Sequence, residues 1–231
     1  MFLSRLHLNP TNRAVWRDLA DCHQMHRTIM SAFPEFVGVP SRKQAAVLYR
    51  LETSTGEDPR LLIQSASEPD WRSLLAREYA RHAEAKCVDR LYREGLRAGH
   101  RLRFRLRANP TRKISRKPGP DGSRTSGARV GLRSEGEWIA WLERKGAQFG
   151  FRPFAVEAAP TLADAGASNV AKIVGMKRED GGHSLTFFSV QFNGWLVIEE
   201  AARFLEGIQT GIGPGKAYGF GLLSVAPSSD K

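Results

Sequence analysis

Cysteine is scarce: Cys22 and Cys87 are too few and too far apart to build a disulfide framework or a four-ligand zinc site. Cys22 and His26 stand four apart, a spacing compatible with a metal on a helix, but two ligands do not make a site. No apolar run approaches the roughly 18 residues of a spanning helix, and the first residues lack the charged-then-apolar order of a signal peptide. The expectation is therefore a soluble cytoplasmic protein with no membrane partner. Carboxylates are outnumbered, 24 against 35 Lys and Arg, for a formal net charge of +11. They nowhere cluster in the way that holds two magnesium ions, so neither a metal nor another cofactor is expected. The glycine-rich stretch Gly211–Gly221 lacks the Gly-Lys-Ser/Thr ending of a nucleotide-binding P-loop, which disfavours an ATPase.

What the chain has in excess is positive charge, and a partner that is an acidic polymer, most simply nucleic acid, fits it. Arg101, Arg103, Arg105 and Arg107 alternate with Leu102, Phe104, Leu106 and Ala108, which predicts a strand with one apolar and one arginine face. Like charges on one strand face repel, and a polyanion relieves the repulsion. The stretch Thr111–Arg133 follows, containing Arg112, Lys113, Arg116, Lys117 and Arg129; from Arg101 to Arg133 there are eleven Arg and Lys against one acid, Asp121. It reads as a basic loop that orders on a phosphate backbone.

Patterning predicts a strand over Met1–Leu8, then a helix over Arg13–Phe33 capped by Asn12 or Thr11. Strands are predicted at Ala45–Leu51 and Arg60–Ser65, a short helix after Asp70, and a strand over Ala83–Tyr92. The second half continues with the arginine strand, a helix from the Ser134/Glu137 capping box to about Gly146, and strands at Phe151–Val156, Val170–Lys177 and His183–Ile198. A helix at Glu199–Leu205 and a strand at Leu222–Val225 close it. The first half has the order strand, helix, strand, strand, helix, strand and the second resembles the same plan with a basic insertion, so the fold class is α+β: two tandem ferredoxin-like (RRM-like) domains with antiparallel sheets, 1–95 and 96–231.

On the first helix, His26 lies within the apolar stripe and His23 on its flank; either a half-buried polar residue or an acid–base group projecting into a cleft fits that place. Asp18, Asp21, Glu199 and Glu200 read as helix-end or solvent-facing carboxylates. In the glycine-rich stretch, Gly213 and Gly215 permit a close backbone approach to a ligand and Lys216 adds a cation.

Four segments resemble the CRISPR-associated repeat-processing endoribonucleases of the CasE type, found in the Cascade complex of type I-E systems. They are Met1-Phe2-Leu3-Ser4; Asp18-Leu19 with His26 and Ala32-Phe33-Pro34; Phe104 through Pro110; and Gly211 through Ser224. Ile139-Ala140-Trp141-Leu142 fits as well. The resemblance implies that CRISPR repeat RNA, as precursor and as mature crRNA, lies across the basic face, is cut at the base of its hairpin, and is held alongside other Cascade subunits. His26 falls where the family keeps its catalytic histidine, with Arg27 beside it as a phosphate contact. The family often has tyrosine three residues earlier, where this chain has His23; the second catalytic role falls to His23, to Lys216, or to no second group. The implied chemistry is metal-free: the neighbouring 2′-hydroxyl attacks the phosphate and leaves a 2′,3′-cyclic phosphate and a 5′-hydroxyl. A non-catalytic RNA-binding scaffold of two RRM-like domains is the alternative.

Overall fold

The computed structural model describes residues 1–34, 46–54, 56–114, 129–160, 172–177 and 183–227. Strand β1 (Phe2–Leu8) buries Ser4, Leu6 and Leu8 on one face, the period-2 pattern of a half-covered strand. It is central in a sheet of order β2-β3-β1-β4, with β2 Leu48–Glu52, β3 Arg60–Ser65 and β4 Ala80–Cys87, and it pairs antiparallel with both β3 and β4. Helices α1 (Arg13–Ala20), α2 (Cys22–Met30) and α3 (Arg72–Ala76) belong to this half. Val15, Met25, Ile29 and Leu74 pack onto Leu6, Leu8, Leu61 and Ile63 as one core.

The predicted helix over Arg13–Phe33 is thus two helices. Asp21 is extended (φ −136°, ψ 104°) and its carboxylate accepts the His23 amide N–H at 2.9 Å, ending α1 and capping α2. A short carboxylate side chain competes with the helical ladder for backbone donors, and here it wins. The strand expected to reach Tyr92 stops at Cys87. Helix α4 (Asp89–Gly95) follows, laced by Arg90–Glu94 and Arg93–Asp89 pairs one turn apart, and it sets Tyr92 against the core of the second half.

The second sheet has the order β12-β5-β11-β8, with β5 Arg101–Ala108, β8 Phe151–Pro160, β11 Val190–Ile198 and β12 Leu223–Pro227. Counting each sheet's strands in chain order, both have the arrangement 4-1-3-2, so each half is a ferredoxin-like βαββαβ unit. Helices α5 (Glu135–Gln148), which carries the capping box, and α6 (Ala201–Thr210) supply the helical side of the second unit. Phe104, Leu106, Trp141, Phe151, Phe192 and Phe204 lie in one core with them. A fully buried phenylalanine contributes roughly 1.5–3 kcal/mol.

The single strand expected over His183–Ile198 is broken at fully buried Ser189. Strand β10 (His183–Phe188) pairs with β9 (Lys172–Lys177), while β11 joins the main sheet. Part of the basic stretch forms a ribbon of β6 (Thr111–Lys113) and β7 (Arg129–Gly131).

Buried polar contacts join the two halves. Arg50 donates from Nη1 to the carbonyls of Arg105 (3.3 Å) and Leu222 (3.2 Å), and its other nitrogens hold Glu52. Gln64 Nε2 donates to the Ile208 carbonyl at 2.8 Å.

Candidate active site and nucleic-acid interface

Capping by Asp21 fixes where α2 begins, so His23 and His26 lie one turn apart while Cys22, Met25 and Ile29 point into the core. Tyr49, also buried, donates from its hydroxyl to the Cys22 carbonyl at 3.2 Å and ties the first turn of α2 to β2. Opposite α2 stands a single 3₁₀ turn, Lys216–Tyr218, bracketed by the left-handed glycines Gly215 (φ 82°) and Gly219 (φ 84°). The Tyr218 ring centroid lies 6.5 Å from that of His23 and 6.5 Å from that of His26, and 4.9 Å from that of Phe187.

Two imidazoles and a phenol therefore share one half-buried site built from both halves of the chain. Tyr218 is the member that sequence reasoning passed over. Its one signal is an aromatic residue directly before a glycine in Ala217-Tyr218-Gly219, and nothing in that segment points to α2.

Lys216 opens the same turn and lines a cleft of about 830 Å³ between the halves, with Leu48, Gln64 and Thr210. Around it the loop folds on itself and onto β5: the Ile212 amide donates to the Gly221 carbonyl and the Tyr218 amide to Gly215, while the Gly221 amide donates to the Arg107 carbonyl of β5. The glycines also serve packing. A Cβ on Gly213 would stand 2.8 Å from Trp141 Cζ2, and one on Gly215 2.8 Å from Phe220 Cδ2.

Cys22 is buried, and desolvation together with the Asp21 carboxylate pushes its thiol up to about 12. Among the described residues no three His, Cys, Asp or Glu side chains converge as metal ligands. Asp18 is not a surface carboxylate. It is 1% exposed, accepting from Thr28 Oγ1 at 2.6 Å and Tyr79 Oη at 3.0 Å and pairing with Arg17. Burial and that carboxylate raise the Tyr79 phenol pKa well above its usual range. Asp18 thus locks α1 to α2 rather than facing solvent. Asp21 is the helix-end carboxylate its spacing suggested, and Glu199 and Glu200 are exposed, paired with Arg152 and Arg203.

The basic residues divide into two surfaces. On the β6–β7 ribbon Arg112, Lys113 and Arg129 are exposed, and Lys113 stands directly opposite Arg129, a like-charge pairing that an anion would relieve. A hollow of about 290 Å³, lined by Arg129, Arg133, Phe187 and Pro214, leads from the ribbon to the ring that touches Tyr218. Arg27 is exposed next to His26 on the last turn of α2. Arg116 and Lys117 lie outside the described residues. The other surface is the outer face of the second sheet, where Arg101, Arg103 and Arg105 are exposed. Arg107 departs from that row: it is 5% exposed and donates from Nε to Ser189 Oγ at 2.9 Å, because the end of β5 is covered where β10 passes into β11.

No helix among the described residues is long and apolar enough to cross a membrane. The family described as CRISPR associated protein matches residues 1–227. The chain is 38% identical over 231 residues to the CRISPR-associated endoribonuclease Cse3 of Thermus thermophilus, covering 98% of this chain and 100% of that protein. It is 30% identical over 235 residues to the CRISPR system Cascade subunit CasE of Escherichia coli, covering 98% and 100%. A solved structure of CRISPR endoribonuclease Cse3 bound to 19 nt RNA superposes with a TM-score of 0.76 at 36% identity, over 98% of this chain and 100% of that one. With its tandem ferredoxin-like units, its histidine-bearing helix and a family match spanning nearly its whole length, the chain belongs to the CRISPR associated protein family.

Proposed function

We propose that this protein is a cytoplasmic endoribonuclease that binds the hairpin of CRISPR repeat RNA, cuts it at the base of the stem without a metal ion, and stays on the mature crRNA as a Cascade subunit. The observation that carries the reading is the meeting of His23, His26 and Tyr218 beside a ribbon of exposed basic residues. The relatives support the substrate class: one is an endoribonuclease, one a Cascade subunit, and one was solved with RNA.

The reaction needs one group to take the proton from the 2′-hydroxyl and another to give one to the departing 5′-oxygen. The 2′-oxygen then bonds to phosphorus as the phosphorus–5′-oxygen bond breaks, giving a 2′,3′-cyclic phosphate and a 5′-hydroxyl. His26 supplies one of these transfers, worth about 10²–10⁴-fold. His23 or Tyr218 supplies the other; a phenol hydroxyl can donate its proton to the departing oxygen. Lys216 and the loop amides oppose the extra negative charge of the phosphorane. The ribbon residues Arg112, Lys113 and Arg129, with Arg116 and Lys117 of the same stretch, hold the stem backbone, and Arg27 holds a phosphate beside the cut. The units 1–95 and 96–231 share the work, the first bringing the histidines and the second the glycine-rich loop and the ribbon.

In EDTA, His26→Ala is expected to abolish cutting of the repeat hairpin while keeping its affinity within a few-fold, because binding is spread over many phosphate contacts. A repeat with 2′-deoxyribose before the scissile phosphate should bind and stay intact. A wild-type protein that binds the hairpin but never cuts it would instead support the scaffold reading.

A further inference from the structure

The outer face of the second sheet is open, and three side chains form a row across it. In register, Arg103 of β5 stands opposite Trp195 of β11, which stands opposite Phe154 of β8. The Trp195 and Phe154 rings are nearly parallel (24°) with centroids 6.4 Å apart, and the Arg103 guanidinium lies over the Trp195 ring at 6.0 Å. Both rings are only half-buried, on the face opposite the core. One row further along, Arg105 donates to Asn193 Oδ1 at 2.9 Å.

Next to Phe154 the register slips: Ala155 has φ 46° and the ladder shifts between Asn193 and Trp195. Gly194 is required there, since a Cβ would come within 2.6 Å of the Ala155 carbonyl. Bulges of this kind re-aim side chains beside functional sites, and strained non-glycine residues cluster there. The result is a trough of about 650 Å³, of a size that takes a drug-like or nucleotide ligand, floored by the sheet and bordered by Arg103, Arg105, Asn193 and Glu157.

We infer that this row is a binding platform for single-stranded RNA, taking the unpaired segment that flanks the repeat hairpin. Bases inside a stem are already stacked on one another, whereas unpaired bases stack on exposed aromatic and guanidinium planes while arginines track the backbone. Arg103 makes no ion pair among the described residues, which leaves its charge for a phosphate. The platform rests on the proposal that this chain binds RNA and lies on the sheet face, apart from the histidine cluster.

The test measures affinity of the full chain for three labelled probes: the repeat hairpin without flanks, the same hairpin with an oligouridine tail on either side, and oligouridine alone. Trp195→Ala is expected to weaken binding of the tailed hairpin and of oligouridine by about 5- to 150-fold, the loss of one stacked base. Affinity for the untailed hairpin and its cutting should not change, and Trp195→Tyr should restore most of the loss. Phe154→Ala should behave like Trp195→Ala in milder form. Should Trp195→Ala fail to fold, photocross-linking of a 4-thiouridine tail to wild-type protein decides the matter, with adducts expected on β8 and β11. Equal loss on tailed and untailed probes, unchanged tail binding, or adducts elsewhere would each overturn the platform. Unchanged tail binding with impaired association with other Cascade subunits would assign the face to a protein instead. A wild-type chain that binds the tail through Trp195 yet leaves the hairpin uncut would refute the endoribonuclease while sparing the platform.

Discussion

Replacing Gly213 by alanine separates a glycine kept for packing from one kept for contact with RNA. Its φ of 87° lies in the left-handed region, which costs a residue with a Cβ about 1–2 kcal/mol. The new methyl would also stand 2.8 Å from Trp141 Cζ2, and that ring is 3% exposed and stacked on Phe192 at 6.0 Å, so it has nowhere to go. Overpacking of a tight core typically costs about 1–3 kcal/mol. The two together give about 2–5 kcal/mol, and at about 2–4 °C per kcal/mol for a chain of this size, Gly213→Ala should melt roughly 4–20 °C lower. Thermal unfolding followed by circular dichroism measures this, alongside hairpin binding at a temperature where the variant is folded. Pairing the change with Trp141→Phe, which removes the colliding atoms, should recover the overpacking share of the added loss but not the backbone share. An unchanged melting temperature with lost RNA affinity would refute the packing account and return Gly213 to the RNA interface alone.

Tyr218→Phe keeps the ring against Phe187 and removes only the hydroxyl, so single-turnover cutting should fall by about 10²-fold with hairpin affinity unchanged; a wild-type rate would hand the second proton transfer to His23. Replacing Arg112, Lys113 and Arg129 by serine should reduce the salt dependence of hairpin binding by about 0.7–0.9 of a log–log slope unit for each phosphate that is no longer neutralised. The same slope as wild type would mean that the ribbon points away from the RNA. At pH 8 a thiol reagent should modify Cys87 in the native protein and reach Cys22 only after unfolding, because Cys87 is exposed whereas the Cys22 thiol is buried and pushed up to about 12. Two rapidly reacting thiols would show that α2 is not packed as described.

Wherever local pattern and tertiary packing ask for the same thing, the sequence is a good guide. The alternation in Arg101–Ala108 gives both the strand and its buried face, and Ser134 with Glu137 gives the start of α5. The misses have local causes that only the fold reveals. Asp21 lies inside a stretch whose apolar spacing runs on through it, and its capping of His23 shows only in the folded chain. Ser189 looks like any strand residue until Arg107, far away in sequence, donates to it at the point where β10 gives way to β11. The same hydrogen bond explains why Arg107 leaves the arginine row. Asp18 has the composition of a surface carboxylate; Thr28 and Tyr79, which make it an interior one, come from other elements. His23 and His26 stood out because they share one helix. Tyr218 did not, since its relation to them is purely spatial.

The meeting of α2 with the turn at Lys216–Tyr218 also bears on how the activity comes into being during synthesis. Histidines from near the start of the chain wait for a tyrosine and a loop from near its end, and Arg50 and Gln64 can hold the two halves only once the carbonyls of Arg105, Ile208 and Leu222 exist. A ribosome-bound chain that has emerged only as far as α4 should therefore be inert toward RNA. Two separately expressed pieces divided near that helix should be inactive alone and regain cutting when mixed, to the extent that these buried hydrogen bonds re-form.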